Sequence, residues 1–226
     1  MRETSRDIAP GSRILVVPLG SVEQHGPHLP LDTDTRIAVA LAVAGTERAG
    51  DDVFLLAPAV AYSASDEHAS FPGTLSVGTE VTVDLLRALS RSAWWAAGMV
   101  IVNGHGGNLD ALGLVGDAGM PRRSWSPMLP SGGDMHAGRT ETSLGLHLFP
   151  ADVRLDAAEV GALPTDPADA LAAMRAGGVA AVSANGVLGD PTGASAEEGA
   201  RIFAAMVVDL VAVLDECRRS WIGTPR

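Results

Sequence analysis

Lysine is absent from the 226 residues, so all 16 positive charges are arginine, and cysteine occurs once, at Cys217. A single thiol closes no disulfide within one chain and builds no thiolate metal cage, so any metal must be held by nitrogen and oxygen. Positive charge is scarce as well. Twenty-seven acids against 16 bases leave a formal charge of −11 without a local basic stripe, which argues against nucleic acid or an anionic membrane surface as partner. No apolar run approaches the ~18 residues that span a bilayer, and 1–11 lacks the apolar core of a secretory signal, so a cytoplasmic location is expected. What is present suits a packed core: 46% hydrophobic residues with 26 Gly and 14 Pro. The expectation is one domain over 1–226, with 1–11 flexible.

Strands and helices alternate, and polar chemistry follows the strands. Ile14 to Pro18 are all apolar, as a strand buried on both faces of a parallel sheet requires. Glu23, His25, His28, Asp32 and Asp34 crowd the segment where its carboxyl end should lie, which is where open α/β sheets bind ligands. The next helix is expected over Thr33 to Arg48, with Asp32 as its cap and Gly50-Asp51-Asp52 ending it. Val53 to Val60 reads as a strand, and Tyr62 to Val77 as a loop long enough to be functional. A helix is expected from Thr79 to Ala97, enclosing Trp94 and Trp95 as packing residues. Met99 to Val102 is a short buried strand that stops at Asn103-Gly104-His105-Gly106-Gly107-Asn108, where the glycines permit tight turns.

Further on, Leu109 opens a helix, and Ser124 to Leu129 reads as a short strand in which Trp125 has no decided role. The Ser131-Gly132-Gly133-Asp134 loop leads to His136. A helix over Thr140 to Leu148 would hold His147 in the core. Asp169 to Arg175 is weakly helical. Ala196 to Arg218 forms a long amphipathic helix whose stripe of Ile202, Met206, Leu210 and Val213 suits a core or an interface.

Glu23 and His25, two apart, face the same side of an extended segment. His105 follows a second strand, and His136 with Glu141 arrives in a third segment, so a doubly wound sheet could bring all three to one edge. Taken singly, each residue reads as a cap, turn or surface group; their convergence is the signal. Imidazole plus carboxylate suits Zn, Fe or Mn, and about five ligands sharing one carboxylate fit two ions roughly 3.5–4 Å apart. His28 reads as a supporting or structural group. His68, beside Glu67, reads equally as a substrate contact or a loop hydrogen bond. The Gly104, Gly106 and Gly107 spacing matches no phosphate cradle.

These motifs carry a resemblance. Gly20 to Pro30, Asp34, Asn103 to Asn108 and Glu141-Thr142-Ser143 resemble the creatininase family of metal-dependent amidohydrolases, and the likeness runs from about Leu15 to Met206. Within the family the chain is most similar to the peptidase branch of mycofactocin biosynthesis, through Pro27 to Ile37, Gly177 to Ser183, Gly186 to Thr192 and Glu198 to Met206. The resemblance implies a three-layer α/β/α fold with a mostly parallel sheet and two divalent ions. Glu23 and His105 would hold one ion and His25 the other, with Asp34 bridging. Creatininase proper has a glutamate two residues after the histidine matching His105, where this chain has Gly107. Glu141 would then be either the replacement ligand or a supporting or basic group. His136 would stabilise the tetrahedral intermediate or shuttle a proton to the leaving nitrogen.

The implied reaction is hydrolysis of the peptide bond that releases a modified carboxy-terminal Val-Tyr unit from a ribosomally made precursor peptide. The family also implies a homo-oligomer, often a hexamer. Two other readings stay open: hydrolysis of a small cyclic amide or formamide such as creatinine, and a non-catalytic scaffold that binds metal or peptide.

Overall fold

A computed structural model describes residues 3–50, 52–116, 118–128 and 133–222 of the chain. Expectations that touch Asp51, Leu129, Ser131 or Gly132 therefore lie partly outside the described residues. So does the flexibility expected of 1–11, at its first two positions. From Ile8 onward this segment is in contact with the body of the protein: Ile8 packs against a core cluster and Gly11 N donates to Trp95 O at 2.8 Å.

Four parallel strands form the sheet, in the order β2-β1-β3-β4: β1 Ile14–Leu19, β2 Phe54–Leu56, β3 Gly98–Asn103 and β4 Arg122–Trp125. The two central strands are buried along their whole length. Alternation along them sorts side chains into two layers, because successive residues of a strand face opposite sides. Ile14, Val16, Val100 and Val102 pack under α1 (Thr33–Ala49), α4 (Arg139–Leu148) and α6 (Ala196–Trp221). Leu15, Val17, Leu19, Met99 and Ile101 face α2 (Gly78–Ser92) and α3 (Leu109–Leu114). This is the expected three-layer α/β/α arrangement. A further helix, α5 (Pro167–Gly177), touches the body mainly through the turns Asp66–His68 and Val179–Ala181.

Several expected boundaries move. β2 is shorter than Val53 to Val60, and beyond Leu56 only single bonds such as Val60 N to Pro18 O continue the edge at 2.9 Å, because Pro58 has no N–H to give. α2 stops at Ser92, so Trp94 and Trp95 lie outside a helix; Trp95 packs on the core, but Trp94 is 74% exposed and is no packing residue. β4 begins two residues before Ser124, and Trp125 ends it in the core with Nε1 donating to Asp209 Oδ2 at 2.7 Å. His147 is exposed, resting beside the Phe203 ring, because its position on α4 faces away from the sheet. Asp32 stands at the first position before α1 but caps nothing with its side chain, which pairs with Arg36 Nε at 2.8 Å. Of the α6 stripe, Met206 and Leu210 are buried in the core and Ile202 and Val213 are partly buried against it, while Leu214, outside the expected stripe, is fully buried.

Strand order fixes where the site lies. From β1 the chain crosses to β2 on one side and later to β3 on the other, so the carboxyl ends of β1 and β3 diverge into two loops at the switch point. Leu19 pairs with Asn103 there, and the residues that follow each strand are the polar runs read from the sequence.

Candidate metal centre

Asp34, in the first turn of α1, stands between the two loops. Its Oδ1 lies 3.2 Å from His25 Nε2 and its Oδ2 3.0 Å from His105 Nδ1, while Ser21 Oγ donates to Oδ2 at 2.7 Å. Close backbone packing sets this height: a Cβ on Gly20 would overlap Thr35, and one on Gly104 would meet Ala38 Cβ at 3.1 Å. His105 is braced by Asn103, whose Nδ2 donates to the His105 carbonyl at 2.7 Å. Its Nε2 lies 2.8 Å from Ala64 O and 3.2 Å from Glu23 Oε2, and Ser65 Oγ donates to that same Glu23 oxygen.

The third segment is held by a strained turn. Ala137 is the one non-glycine residue with positive φ among the described residues, at 51°, and it lies between His136 and Glu141. Its N–H donates to Glu141 Oε2 at 2.6 Å. Asp134, not Gly138, caps α4, accepting from the backbone N–H groups of Arg139 and Thr140. Leu188 pins His136 from the other side, its N–H donating to His136 O at 2.8 Å. Glu141 Oε2 then lies 3.8 Å from His25 Nε2.

All five proposed ligands, Glu23, His25, Asp34, His105 and Glu141, therefore meet with His136 in one place. Their donor atoms form overlapping sets, each within 4.8 Å: Glu23, Asp34 and His105; His25, His136 and Glu141; Glu23, His68 and His136. Glu23 Oε1 is buried without a hydrogen-bond partner among the described residues. A buried carboxylate oxygen left unpaired is costly, so a cation fits the arrangement better than the bare protein does. His28 stands outside, bonded through Nε2 to Thr142 Oγ1 at 2.8 Å, as a structural group.

Electrostatics point the same way. Burial pushes the Glu23 carboxyl up to about 8 against the pull of His105 and His25. Burial likewise raises Glu141 to about 7, with His25 opposing. Burial would lower His25, but Asp34, Glu141 and Glu23 overcome it and lift the imidazole to about 10. Asp34 is held well below the usual carboxylate range, because His25 and His105 outweigh its burial. His136 is driven well down by burial and by neighbouring His25 and His68. Five carboxylates and imidazoles with displaced proton affinities mark a functional cluster.

Part of the cluster lines a cavity of about 410 Å³. Asp34, His68, His105, His136 and Glu141 are among its polar lining residues, and Leu109, Leu171, Met174, Val179 and Leu188 among its apolar ones. Sequence reasoning left His68 between a substrate contact and a loop hydrogen bond. It is buried, lines this cavity, and bonds through Nδ1 to Gln24 Nε2 at 2.9 Å. Ser65, Glu67 and Gln24 were not singled out; the only signal for the first two was the length of the loop that carries them, and Gln24 lay unremarked between two proposed ligands.

The family profile described as creatininase, creatinine amidohydrolase, matches residues 2–214. A protein of Mycobacterium tuberculosis named mycofactocin precursor peptide peptidase is 53% identical over 220 residues, covering 92% of this chain and 87% of the relative. One of the same name from Mycolicibacterium smegmatis is 50% identical over 217 residues, covering 90% and 85%. Among solved structures, a creatinine amidohydrolase (creatininase) superposes with a TM-score of 0.72 at 22% identity, over 95% of this chain and 92% of that one.

Proposed function

The chain belongs to the creatininase family of hydrolases acting on C–N bonds, and from that premise we propose that it is a dinuclear metal-dependent peptidase that cleaves the mycofactocin precursor peptide. The bond cut is the one that releases the modified carboxy-terminal Val-Tyr unit. The observation that carries this reading is the position of Asp34, His105, His136 and Glu141 in the lining of a cavity of about 410 Å³ that also has apolar lining, with His25 buried against Asp34 and Glu23 against His105. A space of that size takes a drug-sized ligand or a peptide end with bulky side chains, more than a small cyclic amide fills.

Glu23 and His105 would hold one cation, His25 and Glu141 the other, and Asp34 would be shared between them. Two divalent cations, Zn, Fe or Mn, would polarise the scissile carbonyl there and lower the pKa of a water towards ~7. Ser21 and Ser65 fix the rotamers of Asp34 and Glu23. His136 Nε2 lies 2.8 Å from the Gln24 carbonyl, an obligate acceptor, so Nε2 carries the proton and Nδ1 presents a lone pair to the cavity. Nδ1 takes the proton lost by the attacking water and passes it to the leaving nitrogen. Water thus adds OH to the acyl carbon and H to the amine as the C–N bond breaks. No serine or cysteine nucleophile is required. A homo-oligomer acting on a peptide, with no nucleic acid, completes the reading; no described helix is long and apolar enough to cross a membrane.

Mass spectrometry on the modified precursor peptide incubated with metal-replete protein tests this. Release of the dipeptide unit is expected. Steady creatinine hydrolysis with an intact peptide would favour the small-amide reading, and binding of the peptide without cleavage the scaffold reading.

A further inference from the structure

Hydrogen-bond accounting around Gln24, the chain's only glutamine, assigns a role to His68. Gly26 N–H donates to Gln24 Oε1 at 2.9 Å, which fixes the amide so that Nε2 faces the other way. Nε2 has two hydrogens and three neighbours: Gly186 O at 3.0 Å, His68 Nδ1 at 2.9 Å and His136 Nε2 at 3.0 Å. Gly186 O can only accept. His136 Nε2 is already a donor to the Gln24 carbonyl and has no lone pair to offer. The two hydrogens therefore go to Gly186 O and His68 Nδ1, and neutral His68 must carry its own proton on Nε2.

That N–H points inward. His68 Nε2 lies 3.3 Å from Glu23 Oε1, an oxygen with no hydrogen-bond partner among the described residues, and His68 lines the cavity. The device is built tightly: Gly186 has φ +80°, and a Cβ there would overlap the Gln24 amide. His68 and His136 both line the cavity with ring centroids 4.4 Å apart, and the N–H of one and the lone pair of the other lie 3.3 and 3.7 Å from the same Glu23 oxygen.

We propose that His68 is not a metal ligand but a neutral N–H donor to the scissile carbonyl oxygen as it becomes an oxyanion, and that Gln24 is the positioning residue that fixes its tautomer. The inference rests on the amide-hydrolase reading of the site and removes one of the three donor sets, Glu23, His68 and His136, from the candidate ion positions. A neutral imidazole whose other nitrogen is pinned as an acceptor can donate its N–H in this way.

Nitrogen-15 NMR of histidine-labelled, zinc-loaded protein tests it without a substrate. His68 should show an unprotonated Nδ1 and a protonated, zinc-free Nε2; the reverse tautomer or zinc on either nitrogen overturns the proposal. This result does not depend on which amide is cleaved, so peptide cleavage can fail while the tautomer stands, and the reverse. Gln24→Glu, which cannot donate to Nδ1, should invert the tautomer and lower kcat on the peptide roughly 10²-fold, as losing one oxyanion donor does. His68→Ala should lose the same factor with two ions still bound and KM little changed, and His68→Gln should recover part of it. A fall in zinc per chain in His68→Ala would make the residue a ligand and sink the proposal.

Discussion

A Cβ placed on Gly107 would overlap the carboxylate oxygen of Glu67. Where creatininase proper has a glutamate, this chain has no side chain, and the space is taken by a carboxylate from the loop after β2. Glu67 Oε1 lies 3.4 Å from His105 Nε2 and lines the same cavity. The glycine is thus the counterpart of Glu67.

Gly107→Ala should destabilise by about 1–3 kcal/mol, as overpacking does, and by less in a Glu67→Ala background. The same Cβ would also overlap His105 Nε2 and stand 3.0 Å from Ala64 O, so the relief should be partial. Urea unfolding of the four proteins measures it; equal costs in both backgrounds would mean that Glu67 does not hold the space.

Asp34→Ala should abolish peptide cleavage and the binding of both ions, because one carboxylate lies 3.2 Å from His25 and 3.0 Å from His105. Elemental analysis of the purified variant decides, and two ions per chain would refute the shared ligand.

Glu141→Gln keeps an oxygen for the Ala137 N–H while weakening the ligand. Ion content should fall from two to one per chain, with a loss of activity of ~10²-fold or more. Two retained ions with the same loss would instead make Glu141 the base.

Metal-free protein should lose stability as pH rises from about 7 to 10. Glu141 is raised to about 7, Glu23 to about 8 and His25 to about 10. Each binds its proton more tightly folded than unfolded, so each contributes stability that is complete below its unfolded pKa and is lost as pH passes the folded value. Thermal melts in chelator across that range should show a falling midpoint, and zinc should flatten the curve. A midpoint that climbs with pH would contradict the assigned directions.

Much of this was legible along the chain. The run Ile14 to Pro18 is apolar enough to be read as a buried strand, and the polar groups behind it lie at the sheet's switch point, where they were expected. Glu23, His25 and His105 follow from that reading alone. The choice of Asp34 over Asp32 did not: both flank the start of α1, and only the family resemblance favoured Asp34. In the fold, Asp34 is buried between two imidazoles, while Asp32 turns outward to Arg36. His147 was expected in the core, since its helix is apolar, but which face of α4 meets the sheet is a matter of packing.

The sequence by itself determined the layers, the strand that opens the site and the types of atom that could hold a cation, because these depend on local periodicity and on which donors the chain possesses. Tertiary structure decided everything that depends on approach between distant segments. Glu67 reaching across Gly107 and Ala137 bent to present Glu141 are two such cases. Gln24 dividing two hydrogens between Gly186 and His68 is a third, since a tautomer is fixed by partners 44 and 162 residues away. Hydrogen bonds and steric exclusion act over a few ångströms of space, and no spacing along the chain encodes those distances.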